Sequence, residues 1–169
     1  MENFLDINLR RKKLKAVVIQ KGEKYFTLLK SLFKSINDIQ GEYNWLITGF
    51  ECYPQNKEYA KKMSGEYCWI TGDELTDMVE DEDFQWIWGV FSAFPKNLEA
   101  DSILKYKLPQ AEGNASIWQE PISIQHPFAE IEIVAWDSSK TIFISKNDDI
   151  IEKLKNNNSF AEDFQKLLE

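Results

Sequence analysis

Histidine, cysteine and long apolar runs are scarce in this 169-residue chain, and each scarcity excludes a class of protein. The single histidine, His126, and the two cysteines, Cys52 and Cys68, are too few and too scattered for a zinc site or a disulfide framework. No apolar run approaches the roughly 20 residues that a membrane helix needs. We therefore expect no metal, no cofactor and no membrane association.

The N-terminal segment lacks the pattern of a secretory signal peptide, because a short mixed stretch over residues 1–9 precedes the basic residues. Two isolated cysteines fit a reducing compartment, where thiols stay free and behave as small buried hydrophobes. We expect a cytoplasmic protein.

No recognisable catalytic motif is present. His126 precedes Pro127, which favours an extended backbone at the histidine. As a catalytic base it would need a nucleophile or a carboxylate within reach, and Cys52, Asp137 and Ser138 are conceivable companions. Nothing in their spacing selects any of them. The sequence therefore predicts a structural histidine and names no catalytic residue.

Length and composition indicate one globular domain over residues 1–169. The apolar fraction of 43% and the charged fraction of 28% are ordinary for such a domain. Aromatic residues make up 14% of the chain, which is high and predicts an aromatic-rich core.

Charge is unevenly distributed around a formal net charge of −8. Residues 1–34 contain nine basic and three acidic residues, a balance of +6, and the remainder contains 11 and 25, a balance of −14. Such a negative field repels nucleic acid and anionic membranes and favours a basic protein partner. The sequence does not determine the oligomeric state.

A basic run lies near the N-terminus, and its members are Arg10, Arg11, Lys12, Lys13 and Lys15. It could be an arm for phosphates or acidic surfaces. We favour a solvated extension over about residues 1–13, because no aromatic or glycine residue interleaves the run.

Residues 84–94 carry the pattern around which we build the fold. A period of two puts Trp86, Trp88 and Val90 on one face, and Ile87, Gly89 and Phe91 on the other. Both faces are mostly apolar, which predicts an interior strand covered above and below.

Shorter patterns predict the flanking elements. Strands are expected over residues 16–19, 43–53, 66–70, 129–136 and 141–145, the last two forming a hairpin. Helices are expected over 23–36, over 72–80 behind a Thr71–Glu74 capping box, from Asn147 or Asp148 onwards, and from a second capping box, Ser159–Glu162, to the C-terminus. Residues 96–121 have no clear assignment, although Trp118 could lie on a short strand.

Strands in succession with helices towards the ends are typical of an α+β fold. We predict a mixed or mainly antiparallel sheet of about five to six strands, with helices packed on it.

An acidic segment over residues 73–83 begins in the predicted helix over 72–80 and runs past its end, and its candidate partner-binding residues are Asp77, Glu80, Asp81, Glu82 and Asp83. The last four lie at or beyond the C-terminal end of that helix, where the helix dipole disfavours negative charge. Three interpretations remain: a solvated loop, a docking patch for a basic partner, and a divalent cation site. The cation site lacks the glycine and distal glutamate of a calcium-binding loop.

Four segments, residues 43–54, 69–75, 84–94 and 129–145, resemble those of a small family of uncharacterised bacterial cytoplasmic proteins. In format, as a short, acidic and aromatic-rich α+β chain, the protein is similar to immunity proteins of bacterial polymorphic toxin systems. The resemblance implies no particular functional residues.

Three function classes follow. The first is a non-enzymatic acidic binding protein, such as an immunity protein or antitoxin that occludes a basic toxin domain. The alternative is a module that binds a small molecule in an aromatic cleft. The third is an enzyme that uses a pair of carboxylates, but acidic residues are so numerous that no pair stands out.

Overall fold

A computed structural model describes residues 12–22 and 27–169. The strands are β1 (Lys15–Ile19), β2 (Tyr43–Cys52), β3 (Tyr67–Thr71), β4 (Trp86–Pro95), β5 (Ile131–Trp136), β6 (Lys140–Ser145) and β7 (Glu162–Asp163). The α-helices are α1 (Lys30–Ser35), α2 (Lys57–Lys62), α3 (Gly72–Asp81), α4 (Ala100–Ile103) and α5 (Asp148–Asn157). Short 3₁₀ helices cover Ile39–Glu42, Ala115–Trp118 and Phe164–Leu168.

The strands form one sheet in the order β3-β2-β4-β5-β6-β1-β7, and every neighbouring pair is antiparallel. The α+β class and the antiparallel sheet are confirmed, but the sheet has seven strands instead of five or six. The seventh comes from the C-terminal segment predicted as a helix. There the chain pairs Glu162 and Asp163 with β1 and then forms a 3₁₀ helix.

The prediction that residues 84–94 form an interior strand is confirmed, since β4 lies between β2 and β5 and is covered on both sides. The predicted faces are wrong at Trp86. Trp88 lies opposite Glu51 and Trp86 lies opposite Cys52, so Ile87 is an extra residue on β4. Such a bulge reverses the alternation beyond it. Trp86 therefore packs on the same face as Phe91, while Trp88 faces the other way.

The first face of the sheet is covered by α1, α3 and α5. Its core joins apolar side chains of the strands, such as Trp45, Trp86 and Phe143, to those of the helices, such as Phe33 and Leu75. Trp86 packs edge-on against Phe91, with ring centroids 4.7 Å apart. The predicted aromatic-rich core is confirmed.

The second face is covered by the connection between β4 and β5 and by the C-terminal 3₁₀ helix. Residues of this connection, including Ile103, Ala111 and Ile122, are buried against the strands. Trp118 lies on a 3₁₀ helix and not on a strand, and its ring packs 5.1 Å from that of Trp136. The segment that had no sequence assignment is thus one of the two layers that cover the sheet.

Two helix predictions meet different outcomes. The helix over 72–80 is confirmed, with its Thr71–Glu74 capping box formed. The helix over 23–36 begins only at Lys30 in the described chain, and its residues 23–26 lie outside the described residues. Residues 1–11, which hold most of the predicted basic extension, also lie outside them.

Candidate functional site

The acidic segment that ends α3 makes contacts within the protein itself. Asp83 accepts hydrogen bonds from the backbone N–H groups of Leu29 (3.2 Å) and Lys30 (3.3 Å), at the point where α1 begins. The Lys30 ammonium lies 3.2 Å from the Glu80 carboxylate. Asp83 therefore serves as the N-terminal cap of α1, supplied from a distant part of the chain.

Two further carboxylates bind groups at the start of α2. Glu82 accepts hydrogen bonds from the backbone N–H groups of Gln55 (2.8 Å) and Asn56 (2.9 Å). Asp81 accepts a hydrogen bond of 2.8 Å from the Tyr59 hydroxyl. The acidic residues at the end of α3 thus hold neighbouring loops and helices in place. The stability of α3 itself does not explain them, because the helix dipole disfavours negative charge at this end.

Asp77 differs from the other four predicted partner-binding residues. Its side chain is exposed on α3 and takes part in no hydrogen bond or ion pair with residues 12–22 or 27–169. Asp73, one turn earlier, is likewise exposed and without an ion pair in that part of the chain. Partner binding at Asp77, Glu80, Asp81, Glu82 and Asp83 stays a prediction. Of these five carboxylates, only that of Asp77 has no partner within the described residues.

A second site lies on the other face of the sheet, in the connection before β5. A cleft of about 460 Å³ opens between residues 107–116 and 123–125. Polar groups dominate its wall, and no aromatic side chain lines it; its members are Lys107, Leu108, Pro109, Gln110, Glu112, Gly113, Asn114, Ser116, Ser123, Ile124 and Gln125. The cleft is therefore polar, unlike the aromatic cleft that the sequence suggested.

Two contacts with β2 fix one wall of this cleft. The Thr48 hydroxyl donates a hydrogen bond of 2.7 Å to the Pro109 carbonyl. Gly49 has a φ of +53°, and a Cβ at that position would lie 2.6 Å from the Gln110 Oε1 atom. A side chain at residue 49 would thus be strained and would push Gln110 aside. Glycine lets the connection lie directly on the strand.

Gln125 joins the two walls. Its Oε1 atom accepts a hydrogen bond from the Gln110 N–H (2.9 Å), and its Nε2 atom donates to the Gln110 carbonyl (3.0 Å). Asn114 also donates to Oε1, at 3.3 Å. These contacts fix which end of the Gln125 amide is the donor.

Below Gln125 lies a fully buried carboxylate, that of Glu132 on β5. It accepts hydrogen bonds from the Gln125 N–H (2.8 Å) and the Gln125 Nε2 (3.3 Å). Burial raises the pKa of Glu132 to about 7, although the two bonds from Gln125 oppose the shift. The group therefore changes charge near neutral pH.

Ser92 on β4 is paired directly with Glu132 across the sheet. Its hydroxyl is buried and has no hydrogen-bond partner among the residues that the structure describes. Cross-strand neighbours on one face have Cβ atoms about 5 Å apart. Ser92 and Glu132 are therefore a pair of buried polar groups beneath the cleft.

His126 follows Gln125 and is also buried, but its bonds are local. Its Nε2 lies 2.9 Å from the Ile103 carbonyl, and its Nδ1 accepts a hydrogen bond from the Phe128 N–H at 3.2 Å. The proton is thus on Nε2, and burial lowers the pKa of the ring. None of the conceivable catalytic companions contacts it within the described residues, and a structural role for His126 stays a prediction.

The side chains that line the cleft include one cation, Lys107, one anion, Glu112, and several uncharged hydrogen-bonding groups. Within the described ranges, no three His, Cys, Asp or Glu side chains are grouped so as to hold a metal ion. Burial raises the pKa of Cys52 to about 12, which keeps its thiol protonated. Among the helices of the described chain, none is long and apolar enough to cross a membrane.

Sequence reasoning missed Glu132, Gln125 and Ser92 as site residues. Glu132 did give a signal, because it shares a strand face with Val134 and Trp136. An acidic residue in the middle of an apolar strand face indicates a buried carboxylate. No sequence pattern indicates that Gln125 would be its partner, since their pairing depends on the path of an irregular connection.

The fold and the cleft define an α+β protein with an open antiparallel sheet and a polar cleft on one face. Residues 14–108, more than half of the chain, match a family described as protein of unknown function (DUF2691), and the chain belongs to this family. The matched region runs from β1 to the start of the cleft and includes Ser92 but not Glu132. Comparisons with curated proteins and with solved structures find no match.

Proposed function

We propose that the protein is a non-enzymatic binding module that holds a small polar molecule in the cleft between residues 107–116 and 123–125. The observation that carries this proposal is the cross-linking of both walls by Gln125, which is itself held from below by Glu132. A cleft whose walls are fixed in advance loses little conformational entropy when a ligand binds.

The groups facing the cleft suggest the kind of ligand. Asn114 is already engaged with Gln110 and Ser116. The side chains of Lys107, Glu112 and Ser123 make no such bonds within the described chain, which leaves them available to a ligand. One cation, one anion and a hydroxyl suit a neutral or zwitterionic molecule, such as a sugar or an amino acid.

A thermal-shift screen of sugars and amino acids, followed by calorimetry on any hit, tests the proposal. We expect Lys107→Gln and Ser123→Ala each to weaken binding about tenfold, because each removes a polar contact at the ligand. Lys105→Gln is the matched control, since Lys105 is exposed two residues away and does not line the cleft. Equal weakening by Lys105→Gln and Lys107→Gln, or no stabilising compound, would contradict the proposal.

A second candidate is the binding of a basic protein partner, as in the toxin-immunity format, on the exposed surface of α3. Five of its ten residues are exposed and acidic, and the helix has no basic residue; they are Asp73, Glu74, Asp77, Glu80 and Asp81. A field of this kind raises the association rate with a basic partner at low salt. Within the described residues, Asp73 and Asp77 are the two of these five carboxylates that take part in neither a hydrogen bond nor an ion pair.

A pull-down against the products of neighbouring genes tests this second candidate. With a captured partner, Asp73→Asn/Asp77→Asn should slow association severalfold at low salt, and the difference should shrink at 0.5 M salt. Glu99→Gln/Asp101→Asn makes the same change in net charge at exposed positions elsewhere and is the control. A partner whose association is equally slowed by both double variants does not use this surface of α3.

A further inference from the structure

The sheet ends on one side at β3, which pairs with β2 and has no described strand on its other side. We propose that β3 is a self-association surface: two copies of this chain pair antiparallel along β3 about a two-fold axis and form one continuous sheet. An uncovered edge strand presents a row of backbone N–H and C=O groups that another strand can bind. The inference does not depend on a ligand in the cleft.

The backbone groups of Trp69 point to this free side. The Ala93 carbonyl accepts a hydrogen bond of 2.9 Å from the Glu130 N–H, beside β5, so the groups of its neighbour Ser92 are directed to β2. There Ser92 lies opposite Leu46, which bonds to it and therefore does not bond to Trp69, its partner on β3. Because bonded and non-bonded pairs alternate along antiparallel strands, Trp69 directs its N–H and C=O away from β2.

The same alternation sets the register of the proposed pairing. Tyr67 and Thr71 also direct their backbone groups outwards, in agreement with the Thr71 N–H, which donates to the Glu74 carboxylate at 3.4 Å. Outward groups must meet outward groups. A pairing that uses all five residues of β3 therefore puts Trp69 opposite Trp69 of the second copy, and Tyr67 opposite Thr71. The bond to the Thr71 N–H competes with the bond to Glu74, which is long.

Aromatic side chains follow this edge. Tyr67 is 40% exposed, and Trp69 is half-buried against Phe94, with ring centroids 5.9 Å apart. Residues two apart on a strand share a face, so both side chains lie on the second face of the sheet. In the proposed register the two Trp69 side chains are cross-strand neighbours, which is a stabilising arrangement for aromatic residues.

Charge differs between the two ends of β3. The helix before it, α2, carries Lys61 and Lys62, and the helix after it, α3, carries Asp73 and Asp77. All four side chains are exposed, and none of them forms an ion pair with the residues that the structure describes. The strand therefore lies between a positive and a negative surface.

Both charged ends reach β3 itself. Burial raises the pKa of the Cys68 thiol on β3, Lys62 lowers it and Glu74 raises it. Antiparallel pairing about a two-fold axis places the start of β3 in one copy beside its end in the other. The lysines of each α2 then face the start of the other α3, whereas parallel pairing would bring like charges together. Glu58 and Glu66 reduce the positive charge, but α3 has no basic residue, so the contact stays attractive.

Sedimentation velocity of the intact chain from about 1 μM to about 1 mM at low salt tests the proposal. Because the strand pair is short, we expect a dimer that dissociates on dilution and on addition of salt. Tyr67→Lys puts a charge on the edge and should weaken dimerisation about tenfold or more. Tyr53→Lys is the matched control, since Tyr53 is a 73% exposed tyrosine outside β3.

Charge reversal separates pairing from folding. Lys61→Glu/Lys62→Glu should weaken dimerisation about tenfold at low salt, and Asp73→Lys/Asp77→Lys in the same chain should restore it, because the two ends are again opposite in sign. Thermal unfolding of each variant checks that it is folded. A wild-type chain that stays monomeric at about 1 mM would overturn the proposal. So would equal effects of Tyr67→Lys and Tyr53→Lys, or no restoration in the fourfold variant.

Discussion

At the scale of single residues, the buried carboxylate of Glu132 links the stability of the fold to pH. Its ionised form makes the stronger bonds to Gln125, yet the charge is buried without a counter-charge from the described residues. Removing a carboxylate from water is unfavourable unless it is well paired. Deprotonation of Glu132 therefore lowers the free energy of unfolding of the whole chain.

The first prediction concerns the pH dependence of this free energy. The pKa of Glu132 is about 7 in the folded state, against an ordinary value of 4.5. A group with a raised folded pKa contributes stability that is full below pH 4.5 and is lost as pH rises through 7. The shift corresponds to about 3 kcal/mol.

Glu132→Gln removes that titration. Relative to the wild type, the variant should gain about 3 kcal/mol between pH 5 and pH 8.5, as measured by urea unfolding at both values. Taking the difference between the two proteins cancels the titration of His126, which is present in both. A difference that does not change with pH would show that Glu132 titrates near its ordinary value.

At the scale of secondary-structure elements, the sequence patterns located strands better than helix ends. The strands over 43–53, 66–70 and 129–145 follow from alternation and turn residues, which act locally. The start of α1 depends on Asp83, more than 50 residues away, and no local signal marks Lys30 as the first helical residue. The bulge at Ile87 similarly depends on the path of β2.

The second prediction tests this long-range cap. Asp83→Ala leaves the first N–H groups of α1 without their acceptor and should cost about 1–2 kcal/mol in urea unfolding. Asp77→Ala, six residues earlier on the exposed side of α3, should change stability by less than about 0.5 kcal/mol. Equal effects of the two substitutions would mean that Asp83 does not cap α1.

The third prediction concerns the contact between α3 and the 3₁₀ helix Ile39–Glu42. A Cβ at Gly72 would lie 2.1 Å from the Gln40 carbonyl oxygen and 2.6 Å from that of Tyr43. Both are backbone atoms, so the clash can be relieved only if α3 or the segment that it contacts moves. Gly72→Ala should therefore cost about 3 kcal/mol in thermal or urea unfolding.

Gly65→Ala is the control for this substitution. The nearest atom to its Cβ would be the Tyr67 carbonyl oxygen at 3.5 Å, an ordinary contact. It should alter stability by about 0.5 kcal/mol or less. A mild effect of Gly72→Ala would show that α3 can shift away from the 3₁₀ helix.

At the scale of the whole molecule, β7 and the 3₁₀ helix that follows it cover one edge and part of the second face of the sheet. The buried side chain of Phe164 packs on the second face, and β7 pairs with the outer edge of β1. An unpaired edge strand invites pairing with another chain. The sequence could not indicate this pairing, because a two-residue strand has no periodicity to detect.

The fourth prediction follows from that edge. Deletion of residues 159–169 should produce concentration-dependent dimers or larger species in size-exclusion chromatography with light scattering, because the edge of β1 is exposed. Leu167→Ser, at a side chain that is 43% exposed, should leave the oligomeric state of the full-length chain unchanged. A truncated chain with the same oligomeric state as the full-length protein would show that β7 does not protect the edge.

The pairing of β1 also sets an order of events during synthesis. Of the strands that the structure describes, β1 is translated before the others, but its neighbours are β6, where Lys15 lies opposite Ser145, and β7, where Val17 lies opposite Asp163. The three strands β2, β3 and β4 can assemble among themselves while translation continues. β1 therefore has no strand partner until β6 has been translated, by which time the other described strands from β2 to β5 have already been made.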